Sequence, residues 1–547
     1  MEFGNRASRE SVAQASATAQ LTGSALLPWA GIAVMLIALL AIFYLRANLH
    51  APMQRDGAHF VFMANNIANG QPPYWASFET KNPLVEMYWS PFLHFLGKRF
   101  GLVEAARIGE AVWLAATALL LFFAVARAAG TRIGRAASAM PVALAAALGY
   151  LVLASDVRAT DDGLNIALYQ SLPELALVLH LVRRPAKRWF VHGLIAGLFV
   201  FLGWFVKQSS LLPDALVVAA WLLTALERKT VGALIRWLVG MGAGALAGAG
   251  AFWLHLEMTG TTYNYLLGAV IYRTGLSPGL ITEFFSNAKH SFAVPFWTLP
   301  LGPFLAANRV WTTIVMIVLI PLAVIDLWRS RSQKWSAARV SLLLCVCWMA
   351  GAWSQAVLGL TFFPHYFLAS LAPVCAVAGI VIARRRPTVR TIAAAVAVLA
   401  IVFLVRDYRD MREANIAAGQ QAPINRTSTE VLRYVRPGDK VFNYSGLPNV
   451  LVAFGEPSAY PLNMNWPYIM TALTEDARWN LLKKTLADAP DVVIAMNERY
   501  PGNQGLANVP MTAARLKALT GRDYVLVHTT APIAGRYGDP VSVFRRQ

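Results

Sequence analysis

The sequence predicts a mainly α, polytopic helical membrane protein: about eleven transmembrane helices followed by a small C-terminal α/β domain. Three observations predict it. Hydrophobic residues fill 57% of the 547 positions and charged ones only 14%, a composition that excludes a string of soluble domains. Apolar runs of roughly 17–20 residues recur along the chain, the length needed to cross about 30 Å of hydrocarbon. From Asp407 onward the pattern changes to short strand-like and helical stretches in alternation.

Residues 1–26 are polar and rich in Ala, Ser and Gln, and read as a disordered cytoplasmic N-terminus. The run "LLPWAGIAVMLIALLAIFYL" is too long for the apolar core of a cleaved leader, and no small-x-small site follows. It reads as an uncleaved signal anchor. Spans are expected at about 27–46, 109–126, 137–154, 164–182, 191–206, 208–225, 235–255, 303–327, 340–360, 365–383 and 391–406. With the N-terminus inside, loops 127–136, 183–190, 226–234, 328–339 and 384–390 share the inner side. They carry 17 Lys and Arg against one acidic residue, Glu227. That bias fixes the orientation. It also gives the formal net charge of +19 a topological meaning, so no nucleic-acid partner is expected.

The membrane domain is therefore 27–406, with two large outer loops at 47–108 and 256–302. The first is balanced in charge, with five basic and four acidic residues. The second is aromatic-rich and moderately apolar, which suggests re-entrant or interface-lying helices. The outer tail, 407–547, has strand-like runs "KVFNYSG", "DVVIAMN", "DYVLVHTT" and "VSVFRRQ" separated by helical stretches. It holds neither a phosphate-binding glycine loop nor a nucleophile elbow, and reads as a packing or acceptor-recognition domain. Cys345, Cys347 and Cys375 all lie in apolar segments and read as core residues, not a disulfide framework or a metal site.

Polar residues in or beside spans are costly, so they are functional candidates. They gather on the outer side. Arg55 and Asp56 follow span one. Glu79 and Lys81 sit in "FETKNPL". Asp156, Arg158, Asp161 and Asp162 fill "SDVRATDDG", and Glu174 lies inside span four. Lys207 interrupts "GLFVFLGWFVKQSSLLPD", and His365 with Tyr366 opens span ten in "FFPHYFL". A carboxylate among cations suits transfer from a phosphate-linked donor: it takes the proton of an attacking hydroxyl, while cations offset charge on the departing phosphate. Each residue also has a plainer reading. Asp56 could simply pair with Arg55, and Lys81 or Lys207 could snorkel to headgroups. His365 could be a satisfied boundary histidine. Asp161 or Asp162 could cap a helix starting at Gly163. Glu174 could mark a kink beside Pro173, and His59 could be packing.

The loop "RDGAHFVFMANNIANGQPPYWASFETKNPL" resembles the first outer loop of the membrane-embedded C-type glycosyltransferases. It is most similar to the bacterial branch related to protein O-mannosyltransferases and lipid A aminoarabinose transferases. The residues that carry the resemblance are Asp56, Gly57, Phe60, Ala64, Gly70, Pro73, Tyr74, Lys81 and Pro83. "GWFVKQSSLLP" resembles that branch's Gly-x-x-x-x-x-Lys-Gln motif and "PHYFLASLAP" its late His-Tyr or Arg-Tyr motif, in the same order and spacing. Coverage is roughly residues 30–405. Gly57 stands where many relatives have Glu, so Asp56 would act alone or with Asp161 or Asp162.

The resemblance implies transfer, with inversion, of one sugar from a polyprenyl-phosphate monosaccharide at the periplasmic face of a bacterial inner membrane. Asp56 would be the general base. Lys81, Arg158, Lys207 and His365 are candidates for the donor phosphate, with Asp161, Asp162 and Tyr366 completing the substrate site. The acceptor would be an envelope glycan, lipid or protein. Family members differ in metal use, which leaves a divalent metal ion open as a cofactor, and no ligand cluster is legible. Two other classes compete. A secondary transporter or lipid flippase would show paired halves and mid-membrane charges, and a receptor anchor would not need eleven spans.

Overall fold

The structure is a computed structural model. It describes residues 28–53, 55–77, 79, 81–129, 133–155, 163–183, 188–226, 231–271, 308–331, 335–358, 364–385, 388, 391, 412–417, 423–464, 468, 473–496, 511–532 and 540–547. Seven stretches among these are long and apolar enough to cross a membrane: Pro28–Asn48, Leu102–Ala128, Trp189–Val206, Gln208–Leu226, Val231–Thr259, Ala337–Ala356 and Tyr366–Ala383. Ala139–Ala154 and Ile166–Val182 are shorter apolar helices.

In chain order the helices of the bundle are α1 (Pro28–Asn48), α2 (Arg55–Ala68), α3 (Leu84–Phe100), α4 (Leu102–Ala129), α5 (Ile133–Ser155) and α6 (Ser171–Val182). There follow α7 (Trp189–Val206), α8 (Leu211–Leu226), α9 (Val231–Thr259), α10 (Thr262–Leu266), α11 (Asn308–Arg329), α12 (Ala337–Leu358) and α13 (Leu371–Ala383). The eighth expected span falls on α11, and the eleventh lies almost wholly outside the described residues.

One expectation changes, and two of the expected loops gain detail. The 47–108 segment carries α2 and α3. α2 buries ten consecutive residues, from Gly57 to Asn66, because the bundle lies on one side of it and the tail on the other. The fourth span does not begin at Gly163. Gly163 (φ 74°) and Leu164 (φ 53°) are both left-handed, and Asn165 caps the short turn Ile166–Leu168 by accepting from the Ala167 amide at 3.0 Å. A helix at Gly163 capped by Asp161 or Asp162 is thus ruled out, although those two side chains lie outside the described residues. In the second large loop, α9 runs on to Thr259, and α10 leads into a π-helical turn at Leu267–Ile271. The remainder of that loop lies outside the described residues.

Backbone contact sets the position of α7. Its glycines at 193 and 197 face those at 240 and 244 of α9. A Cβ added at Gly193 would lie 2.0 Å from the Trp237 carbonyl oxygen, and one at Gly197 2.0 Å from that of Met241. Small residues four apart let two helices approach backbone to backbone, which in lipid replaces a hydrophobic driving force. This contact fixes the C-terminal end of α7, where Lys207 sits.

Among the described residues of the tail, four strands form one sheet in the order β1 (Val441–Tyr444), β2 (Val492–Met496), β4 (Val541–Arg546), β3 (Tyr524–Thr529). β1 and β2 are parallel, and the other pairings are antiparallel. β1 and β2 are buried along their whole length, as expected of strands covered on both faces. The helices of this region are α14 (Pro423–Leu432), α15 (Pro448–Phe454), α16 (Glu475–Thr485) and α17 (Ala513–Thr520). The sheet unit is docked on the bundle. The Leu462 and Asn463 amides donate to the Trp75 and Ala76 carbonyls at 2.9 and 2.7 Å. Asn66 accepts from the Ser458 amide at 2.6 Å, Asn65 donates to the Gly455 carbonyl at 3.1 Å, and Gln71 donates to that of Ser458 at 2.7 Å. Leu451 and Val452 of α15 join the apolar core of the bundle, and Leu267 joins that of the sheet unit.

Candidate active site

The site is assembled where α2, the turn at 71–83, the end of α7 and the start of α13 meet. Asp56 lies in the first turn of α2 and is exposed, where the helix N-terminus favours a negative charge. Gly57 follows it for a packing reason: a Cβ there would sit 3.3 Å from Leu164 Cβ, 3.4 Å from Met53 Cγ and 3.7 Å from the Gly163 carbonyl oxygen. The segment leaving the 156–162 loop therefore presses directly on the turn that carries Asp56. The side chains of Arg158, Asp161 and Asp162 lie outside the described residues.

Lys81 is held by an unusual turn. Tyr74 has φ 65°, a left-handed conformation that costs energy for a bulky residue. It is over-determined: the Tyr74 hydroxyl donates to the Lys81 carbonyl at 2.7 Å, Asn264 donates to the Tyr74 carbonyl at 2.9 Å, and the Tyr265 ring stands edge-on at 5.2 Å. Asn82 donates to the Trp204 carbonyl at 2.6 Å, anchoring this turn to α7. The Lys81 amide donates to Glu79 Oε1 at 3.0 Å, and its ammonium lies 4.5 Å from the centre of the Phe60 ring. Burial works against that cation, but Glu79, Asp56, Tyr366 and Glu86 together carry its pKa above the ordinary lysine value. Lys81 stays charged.

On the other side, α7 ends at Lys207 in extended backbone, φ −159° and ψ 131°. The Ser210 hydroxyl bonds to the Lys207 carbonyl at 2.6 Å and closes the break. The Lys207 ammonium lies 4.3 Å from the centre of the Tyr366 ring, a cation–π distance. Tyr366 lies on the short helix Pro364–Ser370 that leads into α13. His365 shares that helix, and its side chain is outside the described residues. The structure thus brings Asp56, Lys81, Tyr366 and Lys207 into one neighbourhood, from four separate stretches of sequence. A carboxylate open at a helix N-terminus, with two cations nearby, can hold an anion and accept a proton beside it.

Several residues at this end escaped the sequence reading. His59 is not packing: it is buried and pairs with Glu79, Nε2 to Oε2, at 2.9 Å. Glu86 of α3 is fully buried, and burial first, then the charge of Glu79, pushes its carboxyl up to about 8. Arg107, Glu110 and Tyr44 form a buried group behind Asp56. The usable signal was there for two of them: Arg107 and Glu110 are opposite charges three residues apart at the start of an apolar span. Glu174 accepts from the Trp348 indole at 2.6 Å. Among the described residues no group of three or more His, Cys, Asp or Glu side chains could hold a metal ion.

A bundle with several membrane-crossing helices, a charged cluster at one end and a mixed sheet seated over that end defines a polytopic membrane protein with a polar site at the bundle mouth. No protein-family model matches the chain, and no curated protein matches it in sequence. Among solved structures it is similar to the crystal structure of ArnT from Cupriavidus metallidurans bound to undecaprenyl phosphate. The TM-score is 0.53 over 94% of this chain and 98% of that one, at 12% identity. The apo-state crystal structure of ArnT from the same organism matches with a TM-score of 0.42 at 13% identity, over 95% and 98% of the two chains. The fold is thus the one implied by the resemblance to the aminoarabinose-transferase branch of the C-type membrane glycosyltransferases. The match spans nearly the whole chain, sheet-bearing tail included.

Proposed function

We propose that this protein is an inner-membrane glycosyltransferase. It moves one sugar, with inversion, from a polyprenyl-phosphate monosaccharide to an envelope glycan, lipid or protein acceptor at the periplasmic face. The observation that carries this reading is the meeting of Asp56, Lys81, Tyr366 and Lys207 at one end of a bundle whose fold is shared with a protein crystallised with undecaprenyl phosphate.

In the proposed mechanism the acceptor hydroxyl approaches Asp56, which takes its proton as the oxygen attacks the anomeric carbon. The bond from that carbon to the phosphate oxygen breaks on the opposite face, which inverts the centre. The electron pair leaves on polyprenyl phosphate, where Lys81 and Lys207 offset the developing charge, with Arg158 and His365 as further candidates. Asp161 or Asp162, just ahead in sequence of the 163–164 segment that packs on Gly57, would act with Asp56. The tail, seated on α2, would shape the acceptor side.

The test is sugar transfer by purified protein in detergent, offered a panel of radiolabelled polyprenyl-phosphate sugars, with Asp56→Asn alongside. Release of polyprenyl phosphate from one donor, lowered about 10²–10⁴-fold in the variant, is the expected outcome. No consumption of any donor, or equal activity in the variant, would overturn the reading.

A further inference from the structure

The group behind Asp56 has no part in the chemistry above, and it is buried deeply. Arg107 is 0% exposed and Glu110 1%. An ion pair taken out of water contributes little net stability, because desolvating both charges offsets their attraction. What it provides is geometry.

That geometry converges on one place. Arg107 Nη2 donates to the Pro52 carbonyl at 3.1 Å and to the Ala51 carbonyl at 3.4 Å, three and four positions ahead of the start of α2. Glu110 Oε1 accepts from the Leu164 amide at 2.7 Å. Its Oε2 accepts from the Tyr44 hydroxyl near the end of α1, and lies 3.9 Å from Arg107 Nη1. Leu164 in turn has its Cβ 3.3 Å from where a Cβ on Gly57 would stand. One residue pair on α4 therefore ties down the chain entering the Asp56 turn and the chain leaving the 156–162 loop. Leu164 is left-handed, so its amide is held at Glu110 by a backbone shape that a leucine rarely adopts unaided.

We infer that Arg107 and Glu110 are positioning residues that fix the Asp56 carboxylate against the 163–164 segment, with Tyr44 orienting Glu110. The inference rests on the role given to Asp56 above. Its structural half can be tested without any activity.

The experiment uses full-length protein in detergent with Cys345, Cys347 and Cys375 changed to Ala. Gly57→Cys and Leu164→Cys are introduced together, since their Cβ separation approaches the roughly 3.5–4.5 Å of a disulfide. Mild oxidation cross-links the pair, and adding Glu110→Gln slows the cross-link at least about tenfold. In the chain that keeps Gly57 and Leu164, Glu110→Gln lowers kcat roughly 10–100-fold and leaves KM for the donor within about threefold. A displaced base lowers the chemical step, whereas the cations that hold the donor stand on other elements. Arg107→Lys and Tyr44→Phe keep the buried charges balanced and carry the same test if Glu110→Gln does not fold. Unchanged cross-linking in the variants overturns the inference, as does a kcat that does not fall or falls only in step with a rising KM. A wild-type chain that consumes no donor overturns the glycosyltransferase reading instead, and the cross-linking comparison still decides whether the pair holds the two segments together.

Discussion

Ionising Glu86 works against the fold, and the effect can be put in numbers. Burial and the neighbouring Glu79 raise its carboxyl from an ordinary 4.5 to about 8. The gap is about 3.5 pH units, so at about 1.4 kcal/mol per pH unit the ionised form costs the folded chain roughly 5 kcal/mol relative to the unfolded one. The sign follows from which state binds the proton. Below about pH 4.5 the carboxyl is neutral in both states and its contribution is complete. As pH rises toward about 8, the unfolded chain releases this proton and the folded chain keeps it, so stability falls across that window and levels off above it. Glu86→Gln has the same shape and no proton to release. Thermal unfolding of wild type and Glu86→Gln in detergent, at several values between pH 5 and pH 8.5, reads the difference directly. The wild-type midpoint should fall relative to the variant by several degrees over that range. A wild-type-minus-variant difference that is the same at pH 5 and pH 8.5 would refute the placement of Glu86 in a dry pocket beside Glu79.

Other substitutions bear on other parts of the site. Lys207→Gln removes a cation from the cluster, and the loss of a charged contact to phosphate, about 1.5–3 kcal/mol, should weaken polyprenyl-phosphate binding about 10–100-fold in a direct binding assay. Gly197→Val puts a side chain where a Cβ already lies 2.0 Å from the Met241 carbonyl oxygen. The α7–α9 pair must part, and thermal stability in detergent should drop by 1–3 kcal/mol or more, on the order typical of overpacking. Asn66→Ala leaves the Ser458 amide without its acceptor, so amide exchange at 458 should quicken by an amount equivalent to about 1–2 kcal/mol, while exchange within the sheet stays slow.

Much of the charged cluster was legible because charge is expensive in an apolar chain. Asp56, Lys81 and Lys207 stand out against long hydrophobic runs, and the structure links them through Tyr366: Asp56 and Tyr366 act on Lys81, and Lys207 lies over the Tyr366 ring. The residues that went unread are those whose role depends on what lies across from them. "NNIANGQ" looks like the polar end of a loop helix. In the structure Asn65, Asn66 and Gln71 are the seat of a sheet unit nearly 400 positions later in the chain. His59 pairs with a carboxylate twenty residues away, across a turn in which Tyr74 is left-handed. Glu86 looks like a charge at the exposed start of a mostly apolar helix until its full burial is seen.

The sequence by itself determined the class of molecule. Hydrocarbon thickness sets span length and the basic loops set an expected orientation, and both act on stretches of about twenty residues that can be read one at a time. It also predicted that the polar residues of interest gather toward one side, since burying them mid-span would cost too much. Tertiary structure alone decided which of them meet. Gly57 against Leu164, Lys207 over Tyr366, and Glu110 between Tyr44 and Leu164 are contacts between segments separated by dozens to hundreds of positions. Periodicity and composition carry no information about such pairings, because helices that look alike from their own sequences are sorted only by backbone approach, packing and hydrogen bonding in the folded bundle.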